Sequence, residues 1–441
     1  MSDTPAAERT TRAPLPEGTL PVGAGLLIAG LASFAFFKLG QVALGKELFK
    51  PLMTLWFVAF TLVPGFFIPV EQELGRALAH RRALGQGGRP VVMRVLTLAG
   101  GLGGLLVVAV LASSVWLTEH MFEGHSIITL ALLVTIVAYA VAHVARGISS
   151  GSARFPAYGL ILGADSAIRI AACLVLWLAG VDTVGPYALT VALSPLAAVL
   201  IVAARRELTT QDGPPVLLAD VTPNLGWLLV GSMMSAALVN AGPLGVDVLA
   251  SASDAAKVTA FGNGVILARI PLFMFQAIQA ALLPRLAKLA AEGDMAEFRA
   301  GFRRLMIVVA SVAVLGTLGA YAIGPQVLEV MYDGGLDRRT LGLLAMSSGL
   351  FMLAQAVAQA VIALHGHKFV AISWLTGASL FVLVTAFVSD DLYLRVELGL
   401  VVSCAVTFVA FLVSLRARIS AGAVPDAEAL IDGVFDNPVE G

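Results

Sequence analysis

Apolar residues run in long unbroken blocks along this chain, and the polar residues gather in short stretches between them. Each block is about 20 residues or longer, enough for a helix to cross roughly 30 Å of hydrocarbon. Backbone amides in lipid must be bonded within their own segment, so isolated strands are excluded. Barrel strands would alternate in hydrophobicity over about ten residues, and these blocks do not. The pattern predicts twelve helical spans, at 20–41, 51–70, 92–113, 126–146, 157–180, 186–204, 223–242, 258–284, 305–325, 339–362, 368–388 and 397–415. The fold class is therefore all-α and integral to a membrane. The stretch 205–222 contains Asp and paired Pro at the midpoint and reads as a linker. It divides a first lobe, 20–204, from a second, 223–415, with an N-terminal tail (1–19) and an acidic, disordered C-terminal tail (416–441).

Composition agrees with lipid as the solvent. Of 441 residues 58% are hydrophobic and 13% charged, with mean hydropathy +0.90, whereas a soluble protein carries about 25% charged residues. The net charge of −1 points to no polyanionic partner, so nucleic acid is excluded. Cys173 and Cys404 fall inside apolar blocks and read as small packing residues. The polar first 19 residues show no cleavage pattern, so the first span reads as a retained signal-anchor. With the N-terminus inside, 19 cationic residues fall in inner segments and 6 in outer ones. The rule that positive charge stays inside then places both termini in the cytoplasm of a multi-pass protein.

The two halves resemble each other. A gapless slide of 207 positions lays "PGFFIPVEQELGRALAHRRA" over "PLFMFQAIQAALLPRLAKLA", so that Pro64 meets Pro271, Phe66 meets Phe273, Gln72 meets Gln279 and Arg81 meets Lys288. A second echo, at offset 214, pairs "ARF" (153–155) with "HKF" (367–369). An even number of spans per half gives parallel repeats about an axis normal to the membrane. Parallel six-helix halves describe a transporter with a cleft between two lobes.

Few residues in the spans carry chemistry. Arg269 lies in the eighth span, two positions before a kinking proline, and its insertion costs on the order of 3 kcal/mol unless it faces protein or water. Its guanidinium suits a diphosphate, or else is pinned to backbone carbonyls. Asp165 and Arg169, four apart on one helical face, form either a structural ion pair or a gate and proton-coupling site. Lys38 either snorkels to the interface or adds a second cavity cation. Asn240, Asn263, Gln355 and Gln359 suit sugar hydroxyls and interhelical hydrogen bonds equally. Glu71, Gln72, Glu73, Arg76 and Gln279 sit at the repeated inner junction and are candidate gate residues. The glycines of "LAGGLGGLL" (98–106) are expected to permit close helix packing or bending. No ATP-binding motif and no metal cluster is present in the sequence, so no cofactor is expected.

Four stretches carry a resemblance: "PVEQELGRALAHRRALG", "ARGISSGSARFPAYGLILGADSAIR" (145–169), "RIPLFMFQAIQAALLPRLAKLAAEGDMAEF" (269–298) and "IGPQVLEVMYDG" (323–334). They are similar to polysaccharide flippases of actinobacterial type, of the O-antigen or teichoic-acid kind. These belong to the multidrug/oligosaccharidyl-lipid/polysaccharide (MOP) exporter superfamily. The resemblance spans roughly residues 20–415. It implies a V-shaped, MATE-like pair of lobes in a bacterial cytoplasmic membrane, working by alternating access. It further implies a polyprenyl-pyrophosphate oligosaccharide as cargo, moved from inner to outer leaflet for cell-surface polysaccharide such as lipopolysaccharide. Membrane lipids, and glycosyltransferases or a polymerase of the same pathway, would be its partners. Related lipid II flippases resemble this chain in placing a cavity arginine on span 8, but usually have fourteen helices.

Two rivals stand beside that expectation. A cation-coupled multidrug antiporter of the same fold would need more acidic and fewer basic residues in the lobes. A membrane glycosyltransferase or polymerase needs a sizeable outer loop or a catalytic carboxylate at a membrane face, and the outer loops here are short. Three cations and one carboxylate within the spans favour an anionic cargo carried by a secondary transporter, not an enzyme.

Overall fold

The computed structural model describes residues 18–217, 224–273, 275 and 295–420, and among these residues there are helices and no strands. The principal helices are α1 (Thr19–Ala83), α2 (Arg89–Ala112), α3 (Ser126–Gly151), α4 (Phe155–Leu178), α5 (Val184–Ala204), α6 (Leu225–Leu249), α7 (Ala255–Ala268), α8 (Met295–Tyr332), α9 (Arg338–Ala363), α10 (His367–Phe387) and α11 (Leu392–Ser420). Ten of the eleven are long and apolar enough to cross a membrane. At about 1.5 Å per residue, the 65 residues of α1 are about three times the length one crossing needs. The eighth predicted span corresponds to α7 and residues 270–273, and its remainder, with Gln279, lies outside the described residues.

The pattern placed a loop at 42–50 between the first two spans, and the structure corrects this. The two helical arms meet at a kink at Gly45, which alone departs from helical backbone, with φ 76° and ψ 167°. That region of backbone space is essentially reserved for glycine. Two further boundaries move, and one packing expectation changes. The seventh span extends beyond 242 to Leu249, because Pro243 is accommodated within α6. The ninth begins ten residues earlier, at Met295, carrying Arg299, Arg303 and Arg304 on helix. Three of the four α2 glycines make no close packing: a Cβ added at Gly100, Gly101 or Gly104 would meet nothing within 4 Å among the described residues, while one on Gly103 would lie 3.7 Å from the Phe67 ring.

Close helix contact comes from other glycines. At the α1–α4 crossing a Cβ on Gly159 would lie 2.2 Å from the Pro21 carbonyl oxygen, and one on Gly25 would lie 2.8 Å from that of Gly159. The second arm of α1 meets α3 in the same way through Gly75, Gly147 and Gly151. The helices α1 to α5 pack on one another, α6 to α11 do likewise, and α1 joins the two groups by lying along α6 and α7. A large apolar core runs through both groups.

The segment 205–217 is fastened to the first group. Arg81 donates to the carbonyls of Gly87 and Pro214, the Arg89 amide to Gln211, and Arg154 to Glu207 and Thr209. One end of the bundle is thus arginine-rich, and the other carries Lys46 and Lys50.

Substituting Gly45→Ala should lower stability by about 1–3 kcal/mol, although the position has free space around it. Denaturation of the detergent-solubilised protein measures this, and an unchanged midpoint would show that the turn tolerates a side chain.

Candidate functional site

Prolines inside helices dictate the seam between the two groups. A proline has no N–H, so the carbonyl four residues earlier loses its helical partner. Pro64 in α1 frees Phe60, and Pro243 in α6 frees Val239. Each freed carbonyl is bonded by a side chain from another helix. Asn240 Nδ2 donates to Phe60 O at 3.0 Å, and Arg269 Nη2 donates to Val239 O at 2.8 Å. Arg269 Nη2 also lies 2.7 Å from Asn240 Oδ1, linking the two bonds. Its guanidinium stands 5.4 Å from the centre of the Phe57 ring. Arg269 is only 2% exposed. Of the two expectations for it, the pinned arginine describes its bonding, while its position is the junction of α1, α6 and α7. The described residues offer it no carboxylate.

Towards the lysine end, more pairs cross the seam. Gln41 and Asn263 exchange amide bonds at 2.7 and 3.0 Å. Thr259 donates to Lys46 O, and Lys46 Nζ to Asp333 O. Lys50 bridges Glu123 at 2.9 Å and Asp247 at 3.2 Å, while Thr54 donates to Asp247 at 2.6 Å. Lys50, Asp247 and Gln41 were not singled out from the sequence. Asp247 was missed because the seventh span was ended at 242; extending the helix through Pro243 would have placed this carboxylate within it. Lys38 lies half-buried between Phe34 and Gln41 on the helical face turned to Phe273 and Asn263. It makes no side-chain hydrogen bond or ion pair among the described residues.

Asp165 and Arg169 do pair, at 2.8 Å, deep within the first group. Tyr139 donates to the same carboxylate oxygen at 2.8 Å and accepts from Arg169 at 2.9 Å. Arg169 also stacks 4.9 Å from the Trp56 ring centre. The other carboxylate oxygen, Oδ1, is buried without a hydrogen-bond partner among the described residues.

The junction residues separate into two roles. Glu71 bonds His143 at 2.8 Å and Arg146 at 3.0 Å, all three buried between α1 and α3. Glu73 pairs with Arg76 one helical turn on, at 2.8 Å. In this structure the cations that bond Glu71 and Glu73, namely Arg146, His143 and Arg76, all belong to the first half. Gln72 alone of this group faces α6, α9 and α10, where it borders a cavity lined also by Gln355 and Gln359. His143 and Arg146 escaped the sequence reading because α3 looks uniformly apolar until its register against Glu71 is known.

Arg269→Met should cost about 1–3 kcal/mol of stability, the usual penalty for an orphaned buried acceptor. Pro243→Ala returns an N–H to the Val239 carbonyl and should recover part of that loss, giving a non-additive cycle of at least ~0.5 kcal/mol. Chemical denaturation of the two single variants and the double variant measures the coupling. Additive costs would separate Arg269 from the proline-freed carbonyl.

No family model matches the chain, and no curated protein matches its sequence. Solved structures do. A MATE transporter in its straight conformation superposes with TM-score 0.69 at 16% identity, covering 91% of this chain and 95% of that one. A multidrug resistance MATE family transporter of the MOP superfamily gives 0.65 at 13% identity inward-facing (94% and 98% covered) and 0.66 at 14% identity outward-facing (92% and 96%). The near-equal scores show that the likeness is to the architecture and not to one conformation. This chain has the fold of the MATE transporters of the MOP superfamily.

Proposed function

We propose that this chain is a MOP-type secondary transporter that carries an anionic, lipid-linked glycan, a polyprenyl-pyrophosphate oligosaccharide, from the inner to the outer leaflet of a bacterial cytoplasmic membrane. The arginine-rich end would face the cytoplasm, and the cargo would serve cell-surface polysaccharide synthesis. One observation carries this reading beyond the fold: the distribution of charge. Asp165, Glu71, Glu73 and Asp247, the carboxylates buried in and beside the seam, each sit against a cation. Lys38 and Arg269 lie at the seam and have no carboxylate among the described residues. Among the described residues the seam therefore carries unbalanced positive charge, which suits a diphosphate.

A second reading, a cation-coupled multidrug antiporter, draws support from Asp165 Oδ1, which has no hydrogen-bond partner among the described residues. Against it, the opposite oxygen is held by both Arg169 and Tyr139, which leaves little net negative charge for a cationic drug.

The test is leaflet transfer in proteoliposomes, using a fluorescent polyprenyl-pyrophosphate disaccharide and an external quencher. Lys38→Ala should slow transfer on the order of tenfold, as expected for the loss of one charge-assisted bond, and Lys38→Arg should restore most of it. Proton-driven uptake of a cationic dye, indifferent to Lys38→Ala and abolished by Asp165→Asn, would establish the antiporter instead.

A further inference from the structure

The cavity bordered by Gln72 is built differently from the rest of the interior. It lies between α6, α9 and α10, close to the arginine-rich end, and its walls combine Trp227 and Trp374 with Ser235, Gln355 and Gln359. Trp374 is held between Phe351 and Phe411, at ring-centre distances of 5.0 and 5.2 Å. Two polar atoms on this wall, Ser235 Oγ and Gln359 Oε1, are buried and bonded to nothing among the described residues. Ser235 is 3% exposed and Gln359 2%. Leaving a buried polar group unbonded costs roughly 1–3 kcal/mol, so two on one cavity wall mark a place where something else supplies the bonds.

The chemistry of the lining narrows what that is. Amides and hydroxyls donate and accept at once, which matches vicinal hydroxyl groups. Indole faces take the C–H surface of a saturated ring. No lysine, arginine or carboxylate lines the cavity, and the imidazole of His367 is its one titratable lining group, so the wall offers hydrogen bonds rather than fixed charge. We propose that this cavity is a subsite for one neutral pyranose ring, which rests on the glycan-carrying function proposed above and assigns the sugar a place apart from the diphosphate.

The cavity as it stands measures about 30 Å³, room for a water or two and not for a hexose. Its lining residues all come from the second half except Gln72, which projects from α1. Separation of the halves at this end withdraws Gln72 and uncovers Gln359, Gln355 and the indoles together. The subsite is thus closed by the first half and opened by the movement that would admit cargo.

The experiment uses the full chain in nanodiscs free of sugar-headed detergent, with tryptophan emission as the readout. Methyl glucoside, methyl galactoside, methyl mannoside and N-acetylglucosamine are titrated in turn. A saturable change with at least one of them is expected, weakened on the order of tenfold by Gln359→Leu and also weakened by Ser235→Ala. Gln72→Ala removes the cover and should tighten half-saturation severalfold. Trp116→Phe, remote and half-exposed, should leave the response intact. If Gln359→Leu does not fold, Ser235→Ala and Gln72→Ala carry the test. Silence with all four sugars in both wild type and Gln72→Ala would mean the cavity holds water only and would overturn the subsite. A response indifferent to Gln359→Leu, Ser235→Ala and Gln72→Ala would place binding elsewhere and overturn it equally. Glycoside binding without leaflet transfer would leave the subsite standing and remove the transport reading, and the converse result would do the reverse.

Discussion

A backbone carbonyl without a partner inside a membrane has no water to turn to, and the seam of this protein follows from that constraint. Pro64 and Pro243 each strip a carbonyl of its helical N–H in the middle of a long apolar helix. Lone proline kinks would leave two orphaned acceptors in the lowest-dielectric part of the molecule. Asn240 and Arg269 resolve both, and because they also bond each other, the repair of one helix is tied to the repair of the next. The chain thereby acquires a polar joint between its two groups of helices where hydrophobic association alone would give no specificity, since lipid tails are as apolar as the helix faces.

Charge is distributed around that joint in a consistent way. Buried carboxylates are neutralised locally: Glu71 by Arg146 and His143, Asp165 by Arg169, Asp247 by Lys50. Such pairs cost desolvation and add little net stability, so their value lies in fixing which helices meet and at what height. Among the described residues Arg269 and Lys38 have no carboxylate partner, and both lie where the groups of helices meet. Under the function proposed above, this seam and the cavity beside Gln72 would supply the two recognition elements that a phosphorylated, sugar-bearing lipid presents.

Much of the fold was legible in the sequence because the apolar blocks report helices directly: the all-helical class and the midpoints of the described spans agree with the structure. Boundaries were misread wherever a residue usually found at helix ends sits inside one. Gly45 looked like part of a loop and is a single-residue turn; Pro243 looked like a terminus and is internal. The α2 glycines looked like a packing face, and three of the four meet open space. Arg269, Asp165 and Arg169 were legible as candidates, since a charge in an apolar block stands out by itself. Their partners were not. Beyond the Asp165–Arg169 pair itself, Tyr139 beside that pair, the Phe60 carbonyl that Asn240 bonds and His143 beside Glu71 acquire meaning only from the register between helices far apart in sequence, and a single chain read in order does not contain that register. Gln355 and Gln359 fell between, recognisable as polar residues on one face, with nothing to show that Gln72 would cover them.

The transport proposed above requires the two groups of helices to move against each other, and the joint of Phe60, Asn240, Arg269 and Val239, which bonds them together, is the expected pivot. Paired spin labels measure this directly. One pair would sit at Arg205 and Lys368, at the arginine-rich end, and the other at Asp182 and Asp391, at the lysine end, all four positions exposed. Distances would be recorded in nanodiscs with and without a polyprenyl-pyrophosphate glycan. The account predicts opposite changes, one pair lengthening as the other shortens. Two distances that shift together, or that stay fixed while cargo is being transferred, would contradict it.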